Sequence, residues 1–548
     1  MQTDYEYQPL DGTTVKKKSK LRYWIPIGLI LISSIAIFSY RLVNNVDLVF
    51  VSVLIGGKII SGGFVNISWS GSDTRGVDDW IVFTTGFYPT SSNIISESWQ
   101  YTYGSRYRSF LASSENGTVS VKAPSVPGSY RVFYCRNNGY NCVGTKYISV
   151  TAPQVTCRPK NNTASAIKHV ITIISENHSF DSYFGRYCQA PPGSNPKCNV
   201  GRNCCEAGST NVNGISPILL NDTSNLAFDP CHSYDCMLCG INGGKMDGYM
   251  AGGQCSNSDN RNFAMADGSK GSASQYWSLA SQYALADRFF QSAPGASSQS
   301  DMYYARGAFV FKDNDHVPPS HNCQNNKQSY DDPTIANLLI DCDVSFTFYA
   351  EGYKVNPPPN ECYPNYYDAG DVPFQYYPSL TNSPNQDVYF RDYEAFKRDI
   401  QQGTLPAVSY IKPLGYKTEH PGLSTISSGE LFNQDVIERI LTSTIYRENT
   451  LILLVPDESG GYRDSITPPP KSKVDNHPYG PRIPLLAIGN MVLKNYISHV
   501  QMEPASIIRF IESNFLGDIV PGQLQTRDAA VNNLGSLFNR TFTGFDFN

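Results

Sequence analysis

Residues 168–185 read KHVITIISENHSFDSYFG. From His169 to Ile174 the run is apolar and β-branched with no polar alternation, the pattern of a strand buried on both faces. Strands of that kind belong to largely parallel sheets covered by helices. In such sheets the working residues gather just past the C-terminal ends of the strands. Glu176 and Asn177 occupy that position. Asn177-His178-Ser179 also fits the N-glycosylation sequon, but a glycan there would fill the space a ligand needs. Asn177 is therefore expected to be unmodified.

Working outward, AVSYI (407–411), TLILLV (450–455) and RIPLLAIG (482–489) read as further buried strands. Between and after them lie amphipathic helices. GELFNQDVIERILTSTIY (429–446) spaces Phe432, Val436, Ile437, Ile440 and Leu441 on one face, with Ser427 and Glu430 as a capping box. ASIIRFIESNF (505–515) is another. The alternation predicts an α/β domain over 160–548, with a Cys/Gly/Asn-rich insertion at 186–275. Residues 46–152 differ: short alternating strands separated by turn signals predict a β-sandwich, loosely immunoglobulin- or fibronectin-like. Cys135 and Cys142 flank RNNGYN, whose Asn-Gly signals a hairpin turn and whose cysteines could close a small loop.

The net charge of −5 over 548 residues excludes a nucleic-acid-binding reading. Of the 14 cysteines, eight crowd between Cys188 and Cys255, as disulfides in an oxidising compartment or as metal ligands in a reducing one. WIPIGLILISSIAIFSY (24–40) follows Lys16, Lys17, Lys18, Lys20 and Arg22. The expectation is a transmembrane anchor at 23–43 with a cytosolic tail at 1–22, a single-pass type II arrangement with the remainder lumenal or extracellular. A cleaved signal peptide competes, but no small-x-small cleavage pattern follows the apolar run. Sequons at Asn66, Asn116, Asn161, Asn221 and Asn539 fit that side of the membrane. YQPL (Tyr7–Leu10) resembles a sorting signal read by endocytic adaptors, which would direct the chain to endosomes or lysosomes; the plasma membrane is the other expected location.

Candidate chemistry sits at two strand ends and one loop. Asp457-Glu458 follow the TLILLV strand as Glu176-Asn177 follow the first, and oxygen-rich donors of this sort suit a hard divalent cation. In FFQSAPGASSQSDMYYARG (289–307) small residues lead to Ser297 at the start of a possible helix, where N–H groups favour an anion or an alkoxide. Histidines number eight, and His232, His420 and His499 stand in loops able to serve acid–base or phosphate-contacting roles, with His477 a weaker candidate. Cys236 and Cys239 could form half a zinc site, but disulfides are the preferred reading.

Together these segments resemble the phosphoesterase family that includes phosphatidylcholine-type and non-specific phospholipases C and related acid phosphatases. The resemblance rests on HVITIISENHSFDSYFG, NGGKMDGY, EHPG…GELF, VPDESGGYRDSITPP, GPRIPLLAIG and SHVQMEPASIIRFIE, in that order over roughly 165–520. It implies an alkaline-phosphatase-like α/β/α sandwich and a metal-dependent phosphoesterase. Glu176, Asn177, Asp457, Glu458 and Ser297 would be metal ligands. Ser297 would be the nucleophile, with Ser298 next in register, and His232, His420 and His499 would assist. The substrate would be a phospholipid or a soluble phosphate ester. Departures stand at Gln299, Ser300 and Asp301, where the family often has an Asn and a basic residue, and at Ser465, where a His is common. They keep open a catalytically inactive domain used for binding or adhesion.

Overall fold

The computed structural model describes residues 49–539 apart from 55–58, 72–77, 103–115, 153–154, 322, 355–362, 364, 366 and 518–521. Its first strands are β1 (Phe50–Leu54), β2 (Ile59–Ile60), β3 (Phe64–Ser70), β4 (Trp80–Thr84), β5 (Ile94–Tyr101), β6 (Asn116–Lys122), β7 (Gly128–Arg136) and β8 (Asn141–Thr151). They form a three-stranded sheet, β1-β3-β6, and a five-stranded sheet, β2-β8-β7-β4-β5. Alternation decides the packing: Val65, Ile67 and Trp69 of β3 point inward, meeting Ile81, Phe83, Val132 and Tyr134 of the facing sheet. The Cys135–Cys142 disulfide closes the β7–β8 hairpin. Its tight turn uses Asn137 (φ 51°) and Asn138 (φ 55°), with the Gly139 N–H donating to the Arg136 carbonyl at 2.9 Å. The left-handed pair is thus Asn-Asn, not the expected Asn-Gly, because asparagine tolerates positive φ in such turns.

The apolar run 169–175 becomes β9 (His169–Ser175), inside an eight-stranded sheet ordered β14-β13-β15-β9-β16-β17-β12-β18. Its partners are β12 (Ala284–Ala286), β13 (Phe346–Ala350), β14 (Phe390–Arg391), β15 (Val408–Lys412), β16 (Thr450–Pro456), β17 (Leu485–Ile488) and β18 (Tyr496–Ser498). A short pair, β10 (Ile218–Leu220) and β11 (Ala264–Ala266), stands apart. Only β17 runs antiparallel to its neighbours, so the sheet is mixed. Val170 and Ile174 of β9 enter one core, Ile171 and Ile173 the other, which explains why the strand carries no polar alternation.

Helices cover both faces: α1 (Phe180–Phe184), α2 (Tyr234–Ile241), α3 (Ser297–Arg306), α4 (Ile426–Leu441) and α5 (Pro504–Phe515) are those that matter for the site. α4 packs Phe432, Val436, Ile437 and Ile440 into one core, while α3 and α5 pack into the other. The cap of α4 differs from expectation. Thr425, not Ser427, accepts the Ser428 N–H at its start, and Glu430 instead accepts the Gln275 N–H.

One expectation is overturned. No helix among the described residues is long and apolar enough to cross a membrane. The predicted transmembrane helix, and with it the single-pass type II placement, is not upheld; what stands is a mixed α/β chain. Residues 1–22 and 23–43, including Tyr7–Leu10, lie outside the described residues.

The cysteines pair. Cys188–Cys205, Cys198–Cys204, Cys231–Cys236 and Cys239–Cys255 staple the insertion, and Cys157–Cys342 ties the first α/β segment to the sheet edge. Cys236 and Cys239 therefore belong to two different disulfides. The two modules meet through buried polar contacts. Asp332 is reached by Lys122, by the Ser125 hydroxyl and by Arg306 at the end of α3, while Arg306 also donates to the Gly62 carbonyl.

Candidate active site at the strand ends

Parallel register brings three strand ends together. Ser175 of β9 lies opposite Pro456 of β16, and Ile411 of β15 opposite Ile173, so Glu176, Asp457 and Lys412 emerge side by side. Asn177 turns the chain sharply, at φ 64°. The Cβ of any residue replacing Gly460 would lie 2.0 Å from the Asn177 carbonyl oxygen, so this close approach requires glycine. Asp457 Oδ1 accepts the N–H groups of Asn177 (3.2 Å) and Glu458 (2.7 Å), locking the two acidic corners to each other. Asn177 is 0 % exposed, which leaves no room for a glycan.

Ser297 is the first residue of α3 and its hydroxyl donates to Asn177 Oδ1 at 3.4 Å. Gly295, at φ 140°, presses against Gln299, whose side chain donates to the Pro294 carbonyl at 2.5 Å and accepts the Asp313 N–H at 2.9 Å. Gln299 thus braces the loop that presents Ser297. Ser298 turns away to Asp371 (3.2 Å), and the Ser300 hydroxyl accepts from Gln291 at 3.2 Å.

Lys412, at the end of β15, was not anticipated as a site residue. Its Nζ lies 2.9 Å from Asp301, 3.0 Å from Glu176, 3.3 Å from Asp371 and 3.4 Å from Asp457, all buried. Burial would push the Glu176 carboxyl up, but Lys412 and then His420 outweigh it and hold it at about 2. Tyr363 donates to the other Glu176 oxygen at 2.9 Å. A charged residue closing an apolar strand, as Lys412 closes AVSYI, is the signal that could have found it; Asp371 and Tyr363 carry none.

His232 and His420 come together, ring centroids 5.5 Å apart. With Asp229 they bring one ligand atom each within 4.8 Å of one another, the only such His/Cys/Asp/Glu group among the described residues. His232 Nδ1 faces the Pro230 carbonyl (2.8 Å) and His420 Nδ1 the Pro421 carbonyl (2.6 Å), so each ring's Nε2 is the edge left for a ligand. Burial would lower His232, but the Glu458 and Asp229 carboxylates override it and raise it to about 10.

His499 makes its hydrogen bonds elsewhere: its Nδ1 meets Asp287 at 2.9 Å and its Nε2 the Cys198 carbonyl at 2.7 Å, with no hydrogen bond to the Ser297 cluster. His477 stacks on Phe309 at 3.8 Å. Ser465 points at Asp181, not at Ser297. The sequon's His178 is structural. It bonds the Glu176 carbonyl (2.9 Å) and Asn225 (3.1 Å), stacks on Tyr183, and is lowered to about 4 by burial.

The fit of this cradle to a cation can be judged from its own atoms. Glu458 Oε1 and Asp301 Oδ1 are buried without a hydrogen-bond partner, and Glu176 Oε1 meets only the Lys412 charge. Orphaned polar atoms are expensive in a native interior and call for an explanation such as an ion. Carboxylate, amide and hydroxyl oxygens are the donors a hard divalent cation takes. The residues fit.

Several known proteins are similar to this chain in sequence. A non-hemolytic phospholipase C of Burkholderia pseudomallei is 22% identical over 443 residues, 69% of this chain and 60% of that protein. This chain thus spans less than two thirds of that relative's length. A non-specific phospholipase C3 of Arabidopsis thaliana is 21% identical over 427 residues (69% of this chain, 75% of the relative). Phospholipase C B of Mycobacterium tuberculosis is 24% identical over 427 residues (68% and 78%). The phosphoesterase family matches residues 167–516, from before β9 to the end of α5, and the chain belongs to that family.

Proposed function

We propose that the chain hydrolyses phosphate esters with Ser297 as the nucleophile. One observation carries this reading: a buried serine hydroxyl at the N-terminus of α3 touches a strand-end corner of unsatisfied oxygen donors, with two histidines alongside. A divalent cation held by Glu176, Asn177, Asp457, Glu458 and Ser297 would neutralise phosphate charge and lower the serine pKa. Ser297 releases its hydroxyl proton to solvent as Oγ attacks phosphorus in line, and the ester's P–O bond breaks as the new bond forms. His232 gives its proton to the departing alcohol, and His420 contacts the phosphate oxygens. Water then cleaves the serine–phosphate bond, releasing phosphate or the phosphorylated headgroup, and its proton restores His232. The α3 N–H groups and dipole favour the phosphate's charge throughout.

The names of the relatives support a phospholipid substrate, of the kind that yields a diacylglycerol and a phosphorylated headgroup; soluble phosphomonoesters compete. A second reading is binding without turnover. It is favoured by Lys412, which already neutralises Glu176 and Asp457. The test compares wild type with Ser297→Ala on a chromogenic phosphomonoester and on phosphatidylcholine across pH, with metal content measured in parallel. Hydrolysis lost in the variant supports the nucleophile. Equal hydrolysis in both removes it, and no hydrolysis with no bound metal supports the binding reading.

A further inference from the structure

The proposed reaction needs Ser297 and His232 at a fixed spacing, yet they stand on separate segments. Ser297 opens α3, and His232 lies two residues before α2 begins at Tyr234. A turn that follows α3 in the chain, Lys312–Asp315, ties both segments down. The Asp315 N–H closes it by donating to the Lys312 carbonyl at 3.0 Å, and Asp313 sits within it at φ 52°. Aspartate tolerates this left-handed conformation better than most residues, but the conformation still costs energy. Strain retained in a fold points to a task performed there.

Asp313 Oδ1 accepts one N–H group from each segment, Tyr234 at 2.6 Å and Ala296 at 3.2 Å. Tyr234 lies two residues beyond His232, and Ala296 immediately precedes Ser297. α3 needs outside help, because its N-cap is Ala296, whose methyl group can cap nothing. The turn supplies what is missing. The Gln299 N–H donates to the Asp313 carbonyl at 3.1 Å and the Ser298 N–H to Asn314 Oδ1 at 3.0 Å, while the Asp313 N–H returns to Gln299 Oε1 at 2.9 Å. Towards α2, Lys312 Nζ pairs with Asp235 at 2.7 Å. The loop carrying His232 has little freedom to absorb a shift. The Cys231–Cys236 disulfide closes it, and its Cys231 carbonyl packs against Gly461, where a Cβ would come within 2.5 Å. A displacement at Tyr234 is therefore passed on to His232.

We propose that Asp313 is a positioning residue that sets the spacing between Ser297 and His232, one carboxylate oxygen holding the segments of both nucleophile and acid. The inference rests on the phosphate-ester hydrolysis proposed for this site, and Asp313 acts in it through the backbone on either side.

The test compares Asp313→Ala and Asp313→Asn with wild type in the full chain, the asparagine keeping an oxygen able to accept both N–H groups. Two esters of the same phosphate are used, monoesters or phosphocholine diesters according to which the wild type turns over. One is a nitrophenyl ester, whose phenolate departs without a proton; the other is an alkyl ester, whose alcohol must take one. In Asp313→Ala, kcat/KM should fall about tenfold on the first and about 100-fold on the second, the scale of loss that a ~1 Å misplacement brings. Asp313→Asn should recover most of both. Asp313→Glu, which keeps the charge but moves the oxygen, should repeat the unequal losses in weaker form. A mere loss of folded protein would lower both rates by one factor, and thermal midpoints measure it directly. Hydrogen exchange gives a readout free of turnover: peptides covering 232–237 and 294–299 should exchange faster in Asp313→Ala and near the wild-type rate in Asp313→Asn. Equal losses on the two esters, or unchanged exchange in both peptides, overturn the proposal and leave the role of Ser297 standing. A wild type that hydrolyses neither ester overturns it together with the reading on which it rests.

Discussion

Two of the buried charge clusters within the α/β domain are built on opposite plans. Around Arg482, which is 1 % exposed, Asp181 and Asp464 sit at 3.0 and 2.9 Å, and the remaining carboxylate oxygens accept backbone N–H groups or the Ser465 hydroxyl. None of these three charged side chains has an orphaned polar atom. Around Lys412 one ammonium faces four carboxylates, and Glu458 beside it adds another, with oxygens left unsatisfied. The first cluster is closed upon itself. The second is electrostatically incomplete, which is how a site waiting for a ligand differs from one that only holds the fold.

The largest effect should come at the incomplete cluster's edge. Ser297→Ala removes the proposed nucleophile and nothing that packs, so hydrolysis should fall by ~10³-fold or more. The melting curve should be nearly unchanged. Rates measured on a chromogenic phosphomonoester, beside the circular dichroism melt, check both halves; a rate near wild type ends the assignment.

Arg482→Met breaks the complete cluster instead. It strands Asp181 and Asp464 in the interior, and removing one partner of a buried pair typically costs ~3–5 kcal/mol. Denaturant unfolding should show that loss directly. A cost below ~1 kcal/mol would mean that the closed cluster is no more structural than the open one.

Glu458→Gln should act in the reverse direction. In chelator-treated protein, replacing a buried carboxylate that has an unpartnered oxygen should stabilise the fold, by ~1 kcal/mol, while hydrolysis is lost. Destabilisation in the chelated state would show that the His232 charge and the Gly460 N–H together outweigh the unpartnered oxygen.

The same contrast explains what could be read from the chain. Glu176-Asn177 and Asp457-Glu458 were legible because each abuts an unbroken apolar strand, and adjacency along the chain fixes them at the strand ends. Ser297 was legible from its small-residue lead into a helix. Lys412 and Asp371 were not singled out, because what makes them matter is convergence across the sheet from separate segments, and a lone charge beside a loop reads as solvated. Capping of α4 was misread by two residues because Thr425 and Ser427 are both good caps, and the tertiary contact of Glu430 with the Gln275 N–H decided between them. The fold's strand–helix alternation was visible throughout. The antiparallel turn of β17 was not, since a fully buried strand has the same pattern in either direction.

His499 offers the smallest and most diagnostic prediction, because the sequence grouped it with the catalytic histidines and the structure pairs it with Asp287. Burial would lower its pKa, but the Asp287 carboxylate outweighs that and raises it. A group raised on folding contributes stability fully below its unfolded pKa of about 6.5 and loses that contribution as pH rises through the folded value. The pair is partly open to solvent, so the contribution should stay below about 1 kcal/mol. His499→Gln should therefore lower the thermal midpoint slightly at pH below 6.5, by an amount that vanishes in mildly alkaline buffer, with turnover of phosphate esters unchanged at either pH. A stability loss independent of pH would mean that packing, not charge, holds His499. A fall in turnover without a stability change would return it to the catalytic group, and would make the sequence a better guide than the contacts.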